Sequence, residues 1–325
     1  MVSRCPPSTV RSAVSSRQSR QYGAGQDIRP TGGRPRWRPR HDRQEVPVAI
    51  EDTLSQYVRE HAERAVLGLR AIERAEAGDL DQVLTVETVH DLRTSLRRLR
   101  ATLRSFPGSP DPPHAAPAPS DGDLQFVARA LSELRDTDVL SEQLRAQISS
   151  LPPSSAQGPV REVLASALAA RRRTALAQVA ERRGDQRWGR VADRLDSWQQ
   201  VPPRLADPQL LRLLESAREE VRARLLAAGE DLHALHSARK AAKRWRYAAE
   251  MLLPVASAAA EHYEQATGIH ESLGRLQDAV VATEFLEEVT RSGDLADGTA
   301  RTLALLARRA QRTIQEITAE APRLL

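Results

Sequence analysis

Two short segments of the sequence each combine one histidine with a regular series of cations. In the first, His90 precedes arginines at intervals of three and four residues, namely Arg93, Arg97, Arg100 and Arg104. In the second, His236 precedes cations at the same first three intervals, followed by a tyrosine, namely Arg239, Lys243, Arg246 and Tyr247. Residues at these spacings share one face of an α-helix. Each segment therefore predicts a cationic stripe on a helix, and the first stripe climbs about 21 Å at the helical rise.

Like-charged neighbours within these stripes repel one another. Cations three or four residues apart destabilise a helix by roughly 0.2–0.5 kcal/mol per pair, and the sequence offers no acid on either stripe except Glu250, at the far end of the second. The repulsion must be relieved by acids on other helices or by a bound anion. Guanidinium groups bind phosphate oxygens through paired hydrogen bonds, and lysine adds a point charge. The stripes therefore predict a site for a linear polyanion.

The two motif histidines allow two interpretations, a metal site or hydrogen bonds to an anion. Neither His90 nor His236 is followed at i+3 or i+4 by another histidine, a cysteine or a carboxylate, and cations would repel a metal ion. His233, three residues before His236, is expected to lie off the site. We therefore expect no metal and no cofactor. Both motif histidines are interpreted as hydrogen-bond donors to an anion, a role that protonation near pH 6.5 would strengthen.

Three aspartates accompany the stripes. Asp136 and Asp138 lie in "LRDTDVL", and Asp278 lies in "LGRLQDAV". His236 follows His90 by 146 residues, and Asp278 follows Asp136 by 142 residues. Two motifs in the same order at nearly the same separation indicate an internal duplication. We predict that these aspartates orient the cations and histidines toward the ligand, since they are too few to neutralise both stripes.

The composition predicts an all-α protein with a preference for anionic partners. The chain has 325 residues, a formal net charge of +5, 40% hydrophobic and only 3% aromatic residues. Alanine, leucine and arginine dominate, which favours helix over strand. Cys5 is the single cysteine, which excludes a disulfide framework and fits a reducing cytoplasm. We expect no membrane partner, because no apolar run approaches the roughly 18 residues of a spanning helix.

The chain divides into a tail and a helical region. Residues 1–46 are rich in arginine, proline and glycine and are predicted to be disordered. From about residue 51, apolar side chains recur with a period near 3.6. We predict one domain over 47–325, with a first bundle at 47–200, a linker near 201–208 and a second bundle at 207–325. A single third helix is expected over about 123–149, after a proline-rich loop at 107–123.

Four segments together resemble the CHAD family, the conserved-histidine α-helical domains. They are "VHDLRTSLRRLRATLRSF", "LRDTDVL", "LHSARKAAKRWRYAAE" and "LGRLQDAVVATEFL", and the resemblance covers about residues 48–321. It implies two four-helix bundles related by a pseudo-twofold axis, with a basic cleft that binds inorganic polyphosphate. It also implies localisation in the cytoplasm, at polyphosphate granules. The ligand-binding positions that it implies are His90, Arg93, Arg97, Arg100, Arg104, Arg172, His236, Arg239, Lys243, Arg246, Tyr247 and Arg309, with Asp136, Asp138 and Asp278 as orienting acids.

The function favoured at this stage is non-enzymatic binding of polyphosphate. The sequence shows no nucleophile–base pair, no glycine-rich phosphate loop and no metal cluster. One alternative is an enzyme that hydrolyses or transfers phosphate in the same cleft, with the three aspartates holding Mg²⁺. Another is a nucleic-acid-binding helical module, which the scarcity of aromatic residues for base stacking disfavours. No motif in the sequence indicates an oligomeric state.

Overall fold

The computed structural model describes residues 50–76, 78–105, 118–152, 155, 158–200, 210–293 and 295–324. The predicted disordered tail, most of the proline-rich loop and the predicted linker lie outside these residues. Within them, all regular secondary structure is helical, so the predicted all-α class is confirmed. No helix in this part of the chain is long and apolar enough to span a lipid bilayer.

Eleven α-helices and one short 3-10 helix follow one another along the described residues. Their bounds are α1 Ile50–Arg74, α2 Leu80–Val83, α3 Val86–Ser105, α4 Asp121–Ala130, α5 Ser132–Ser149, α6 Val160–Arg183, α7 Gln186–Gln200, α8 Leu210–Ala228, α9 Leu232–Leu252, α10 Ala259–Ser292, α11 Asp297–Glu320 and a 3-10 turn at Ala321–Arg323.

The two helices that carry the stripes, α3 and α9, occupy the centre of the fold. In the first half of the chain, α3 packs against α1 and α4, and α1 packs against α7. In the second half, α9 lies between α8 and α10, and α10 packs against α11. The halves meet where α3 contacts α9 and where α5 contacts α10. Equivalent helices of the duplicated halves therefore face each other, which brings the two stripes together.

Local signals fix where the helices around the stripes begin. The Asp231 carboxylate accepts hydrogen bonds from the amides of His233 and Ala234 and so caps α9. Gly229 adopts the left-handed conformation, with φ of +50°, that lets the chain turn sharply between α8 and α9. At the start of α4, Ser120 and Asp123 form a reciprocal capping box. These caps set the register of the site helices.

The predicted single helix over 123–149 is wrong in one respect, because the chain is interrupted at Leu131 and forms two helices, α4 and α5. The carbonyl of Ala128 accepts hydrogen bonds from Arg93 Nη1 and from the Ser132 hydroxyl. Side chains thus compete for a carbonyl that a continuous helix would use for its own backbone. In the second half, α10 runs without interruption through 34 residues.

The faces of α3 and α9 that point away from the stripes form the core. Leu92, Leu96 and Leu99 of α3 are buried, and so is Trp245 of α9. Trp245 Nε1 donates a hydrogen bond to His262 on α10, at 3.2 Å. Since apolar burial anchors both helices, their cationic faces are held in place independently of any ligand.

Candidate functional site

The two stripes merge into one group of cations where α3 meets α9. The group contains Arg93 and Arg97 from α3, with Arg239, Lys243 and Arg246 from α9, and is called the central cluster below. Four of these side chains act electrostatically on the fifth, Lys243. The duplicated motifs thus contribute to one site rather than to two separate ones.

Lys243 is the most strongly perturbed member of the central cluster. Burial, followed by the positive charges of Arg97 and Arg239, lowers the pKa of its ammonium group from 10.5 to about 6. No described residue forms a hydrogen bond or ion pair with it. At neutral pH most of the Lys243 side chains are therefore uncharged in the unliganded protein, and they would regain the proton beside an anion.

Arg93 is held in place by neutral partners. Its Nη1 donates to the Ala128 carbonyl at 2.9 Å and to the Ser132 hydroxyl at 2.7 Å. Burial and the neighbouring Arg97 lower its pKa to about 10. The guanidinium is thus fixed in direction without being neutralised.

Arg97 and Arg239 have still fewer partners. Arg97 donates to the Thr94 hydroxyl at 3.0 Å, and no carboxylate of the described residues lies within ion-pair distance of either arginine. The Nε atoms of both are buried without a hydrogen-bond partner. Burial is the main reason why the pKa of Arg239 is lowered, with Arg97 adding to the effect and Asp278 opposing it. Buried donors without acceptors are what an anion would satisfy.

Arg246 ends the central cluster on α9. Its guanidinium lies 4.4 Å from the centre of the Tyr247 ring and 3.7 Å from the nearest Glu250 carboxylate oxygen. Tyr247 is buried, with 4% of its surface exposed, so it supports the cation through its ring face. Tyr247 therefore takes part in the site by contacting Arg246 on the same helix, α9.

Arg100 and Arg104, at the C-terminal end of the first stripe, share an acid that the sequence analysis missed. Each forms two hydrogen bonds with the Asp121 carboxylate, at 2.9–3.2 Å. Partial burial opposes ionisation of Asp121, but these hydrogen bonds outweigh it and lower its pKa. One carboxylate faces two arginines, so half of their charge stays uncompensated.

Asp138 of α5 and Arg172 of α6 pair with each other rather than with a member of the central cluster. Arg172 Nη1 pairs with Asp138 at 2.7 Å, Nε donates to Asp81 at 2.9 Å, and Nη2 donates to the Leu84 carbonyl at 2.7 Å. Residues two apart on a helix point about 200° away from each other. Asp136 points toward the central cluster. Asp138 therefore points to another side of α5, toward α6. The contacts of Asp138 and Arg172 thus link α2, α5 and α6.

Asp136 and Asp278 come together beside the central cluster. Asp136 interacts electrostatically with Arg93 and Arg239, while Asp278 interacts with Arg239 and with Asp136 itself. Partial burial raises the pKa of both carboxyl groups, although the arginines act in the opposite direction. This acidic pair from the two halves is placed to orient Arg239.

The motif histidines lie at the N-terminal ends of the stripes. His236 Nδ1 is 2.5 Å from the Gln277 side-chain oxygen, which fixes its ring, whereas His90 is exposed. Partial burial lowers the pKa of both, helped by Arg135 for His90 and by Lys240 for His236. A lowered pKa favours the neutral ring, which still donates one N–H, so the predicted role as hydrogen-bond donor does not depend on protonation.

The last predicted position, Arg309 on α11, lies beside the end of α5. Its Nη1 donates to the Ser150 hydroxyl at 3.2 Å. The structure shows no contact between it and the central cluster.

Two features of the site were not predicted. Arg98, which lies off the first stripe, pairs with Glu250 of the other half and thereby joins α3 to α9. His270 of α10 lies near the cations of the central cluster. A signal for His270 existed, because His270, Gly274 and Asp278 follow one another at intervals of four on a single helix face.

The described residues contain no cluster of three or more His, Cys, Asp or Glu side chains able to hold a metal ion. The central cluster instead consists of cations, whose charge favours negatively charged partners.

Comparisons with known proteins agree with this description. The model of a family described as the CHAD domain matches residues 64–287. Two uncharacterized proteins of Mycobacterium tuberculosis, from strains CDC 1551 and H37Rv, are each 29% identical over 273 residues, which cover 80% of this chain and 50% of the relative. The chain thus spans about half the length of the curated relatives it matches.

Two solved structures share the fold. PptA from Streptomyces chartreusis superposes with a TM-score of 0.62 at 20% identity and covers 84% of this chain and 97% of its own. A CHAD domain from the plant Ricinus communis superposes with a TM-score of 0.56 at 19% identity and covers 89% and 97%.

Proposed function

Because the chain belongs to the CHAD family, we propose that it binds inorganic polyphosphate at the central cluster and leaves the polymer chemically unchanged. The observation that carries this proposal is the set of cations contributed by both halves, three of which form no ion pair with a carboxylate in the described part of the chain: Arg97, Arg239 and Lys243. A chain of phosphates supplies a regular series of negative oxygens to such a set. Each hydrogen bond to a charged group contributes roughly 1.5–3 kcal/mol.

The ligand runs along both stripes in this proposal. His90 and His236 contact the polyphosphate at the N-terminal ends of the stripes through neutral N–H groups. Arg100 and Arg104 contribute the positive charge that Asp121 does not neutralise. Asp136 and Asp278 hold Arg239 in position. Each bundle, 47–200 and 207–325, contributes one stripe.

The arrangement supports binding better than phosphate transfer. Mg²⁺ is usually held by carboxylates together with substrate phosphates. Asp138 is paired with Arg172, and Asp136 and Asp278 lie beside Arg239, which disfavours a metal ion.

We propose that the protein acts in the cytoplasm, at polyphosphate granules, as the family resemblance implies.

One titration series tests the proposal. The full chain is titrated with long-chain polyphosphate, pyrophosphate, orthophosphate and single-stranded DNA, and released phosphate is measured with Mg²⁺ present. We expect tight binding of long-chain polyphosphate and no release. Release of phosphate would establish the enzyme, equal or tighter binding of DNA would establish a nucleic-acid module, and absence of polyphosphate binding would refute the proposal.

A further inference from the structure

A third helix, α10, brings an uncharged polar side chain to the central cluster. The charged groups that act on the His270 ring are Arg239, Lys243 and Arg246 of α9 and Arg97 of α3. The ring is partly buried, and its Nε2 is buried without a hydrogen-bond partner among the described residues. His270 therefore adds to the site a polar atom that the unliganded protein leaves unsatisfied.

The surroundings keep this ring neutral. Burial, then the cations led by Arg239, lower the pKa of His270 to about 3. A neutral imidazole carries one N–H donor and one acceptor nitrogen. The charged groups that act on the ring are all cations, and no described residue forms a hydrogen bond with Nε2, so an anion would supply the missing acceptor. Buried polar atoms without partners are rare in native proteins and call for an explanation.

We propose that His270 is a further phosphate-binding residue, whose neutral ring donates Nε2–H to a phosphate oxygen held by Arg239 and Lys243. The inference rests on the proposed function and extends it from two helices to three. A neutral donor has one advantage over a sixth cation, because it contributes a directed hydrogen bond without adding repulsion to the empty site.

The test compares three variants of the full chain with the wild type in titrations with long-chain polyphosphate. His270→Ala removes the donor and should weaken binding about tenfold. His270→Gln keeps an N–H donor at similar reach and should stay within about threefold of the wild type. His233→Ala is the matched control, since His233 is an exposed histidine on α9 outside the central cluster, and it should bind like the wild type.

A second measurement separates contact from a structural effect. Nitrogen-15 NMR of the histidine rings, assigned by loss of the His270 signal in His270→Ala, should show protonated Nε2 in the wild-type complex, with a shift when polyphosphate is added. The melting temperature of the unliganded His270→Ala protein should match that of the wild type.

The outcomes distinguish the two proposals. Wild-type affinity in His270→Ala, or an unprotonated Nε2 in the complex, would overturn the role of His270 and leave polyphosphate binding standing. Failure of the wild type to bind polyphosphate would overturn both. If His270→Ala does not fold, the test uses the affinity of His270→Gln and the wild-type NMR signal of His270, which is then assigned by its loss in His270→Gln.

Discussion

Arg97 of α3 and Lys243 of α9 face each other across the junction of the two halves, and neither has a carboxylate partner in the described residues. The repulsion between these two cations is therefore an electrostatic cost of the unliganded site. Two neighbouring positive charges away from bulk water repel strongly. The unliganded protein reduces that repulsion by releasing the proton of Lys243, and a bound polyanion would remove it. The stability and the proton uptake of the protein should therefore both depend on Lys243.

The first prediction concerns stability without ligand. The pKa of Lys243 falls from 10.5 to about 6 on folding. Below pH about 6 both states carry the charge and the cost of burying it is complete. Between these pH values the unfolded chain binds a proton that the folded protein does not, so the cost decreases as the pH rises. Above the window both states are neutral and the cost disappears. Lys243→Met should raise the melting temperature at pH 7 by at least about 2 °C, from a gain of about 1 kcal/mol or more, and this gain should shrink toward pH 10.

The control for this prediction is Lys240→Met. Lys240 is the other of the two lysines in the chain and is exposed on the same helix. Its replacement should leave the melting temperature nearly unchanged. A Lys243→Met protein that melts at a lower temperature than the wild type at pH 7 would show that the ammonium group has a stabilising partner.

The second prediction is that polyphosphate binding takes up protons. Phosphate charges beside Lys243 favour its charged form and raise its pKa above the value of about 6 in the empty site. Around pH 7.5 binding should therefore consume up to about one proton per site, and affinity should fall as the pH rises further. Calorimetric titrations in two buffers of different ionisation enthalpy measure this number. Lys243→Met should lose that share of the uptake, whereas Lys240→Met should keep it.

The third prediction separates ligand-binding arginines from structural ones. Among the residues that the structure describes, Arg97 has only the Thr94 hydroxyl as a partner, while Arg172 donates to Asp81, Asp138 and the Leu84 carbonyl. Arg97→Ala should weaken polyphosphate binding at least about tenfold, because one charge-assisted contact contributes roughly 1.5–3 kcal/mol. Its melting temperature without ligand should stay equal or rise slightly. Arg172→Ala should do the reverse and lower the melting temperature with little change in affinity.

Arg100→Ala should lie between these two, because Asp121 already neutralises part of its charge. Affinity titrations and thermal unfolding of the three variants provide the measurement. If Arg97→Ala unfolds and its loss of affinity only follows the loss of folded protein, Arg97 is a structural residue.

The features that local spacing determines could be predicted from the sequence. Helical periodicity depends on neighbours within one or two turns, so the faces of α3 and α9 and their buried leucines follow from the pattern alone. The duplication also predicted that one acid from each half, Asp136 and Asp278, would accompany the stripes. These positions follow from repetition and from the 3.6-residue period.

Long-range packing decides the rest. Asp121 follows a proline-rich segment, and nothing in its spacing connects it to Arg100 and Arg104. Glu250 and Arg98 are 152 residues apart and meet only because α9 packs on α3. Asp138 looked equivalent to Asp136, but a two-residue step on a helix directs it to Arg172 instead. Electrostatic partners therefore depend on how helices cross, which local periodicity does not specify.

The fourth prediction concerns salt. Polyphosphate that displaces counterions from several cations should bind with an affinity that falls linearly with salt concentration on logarithmic axes. By analogy with nucleic acids, each neutralised phosphate contributes somewhat under one unit to the slope. We expect a slope of roughly −3 or steeper from the central cluster, and a decrease of nearly one unit in its magnitude for Arg239→Ala. A slope near zero would contradict binding through these cations.

The last prediction uses the continuity of the site across both halves. Orthophosphate or pyrophosphate can contact two or three cations at once, whereas a long polyphosphate chain can contact both stripes. Linked contacts share one cost of association, so each added contact increases affinity with little further loss of freedom. Long-chain polyphosphate should therefore bind at least about a hundredfold more tightly than pyrophosphate, as measured by competition titrations at fixed salt. Lys243→Met should lower affinity for the long chain, and so should Arg97→Ala, because each variant removes a contact from a different half. Equal affinities for pyrophosphate and long chains would point to a small-molecule site, and an effect from one half alone would show that the stripes do not act together.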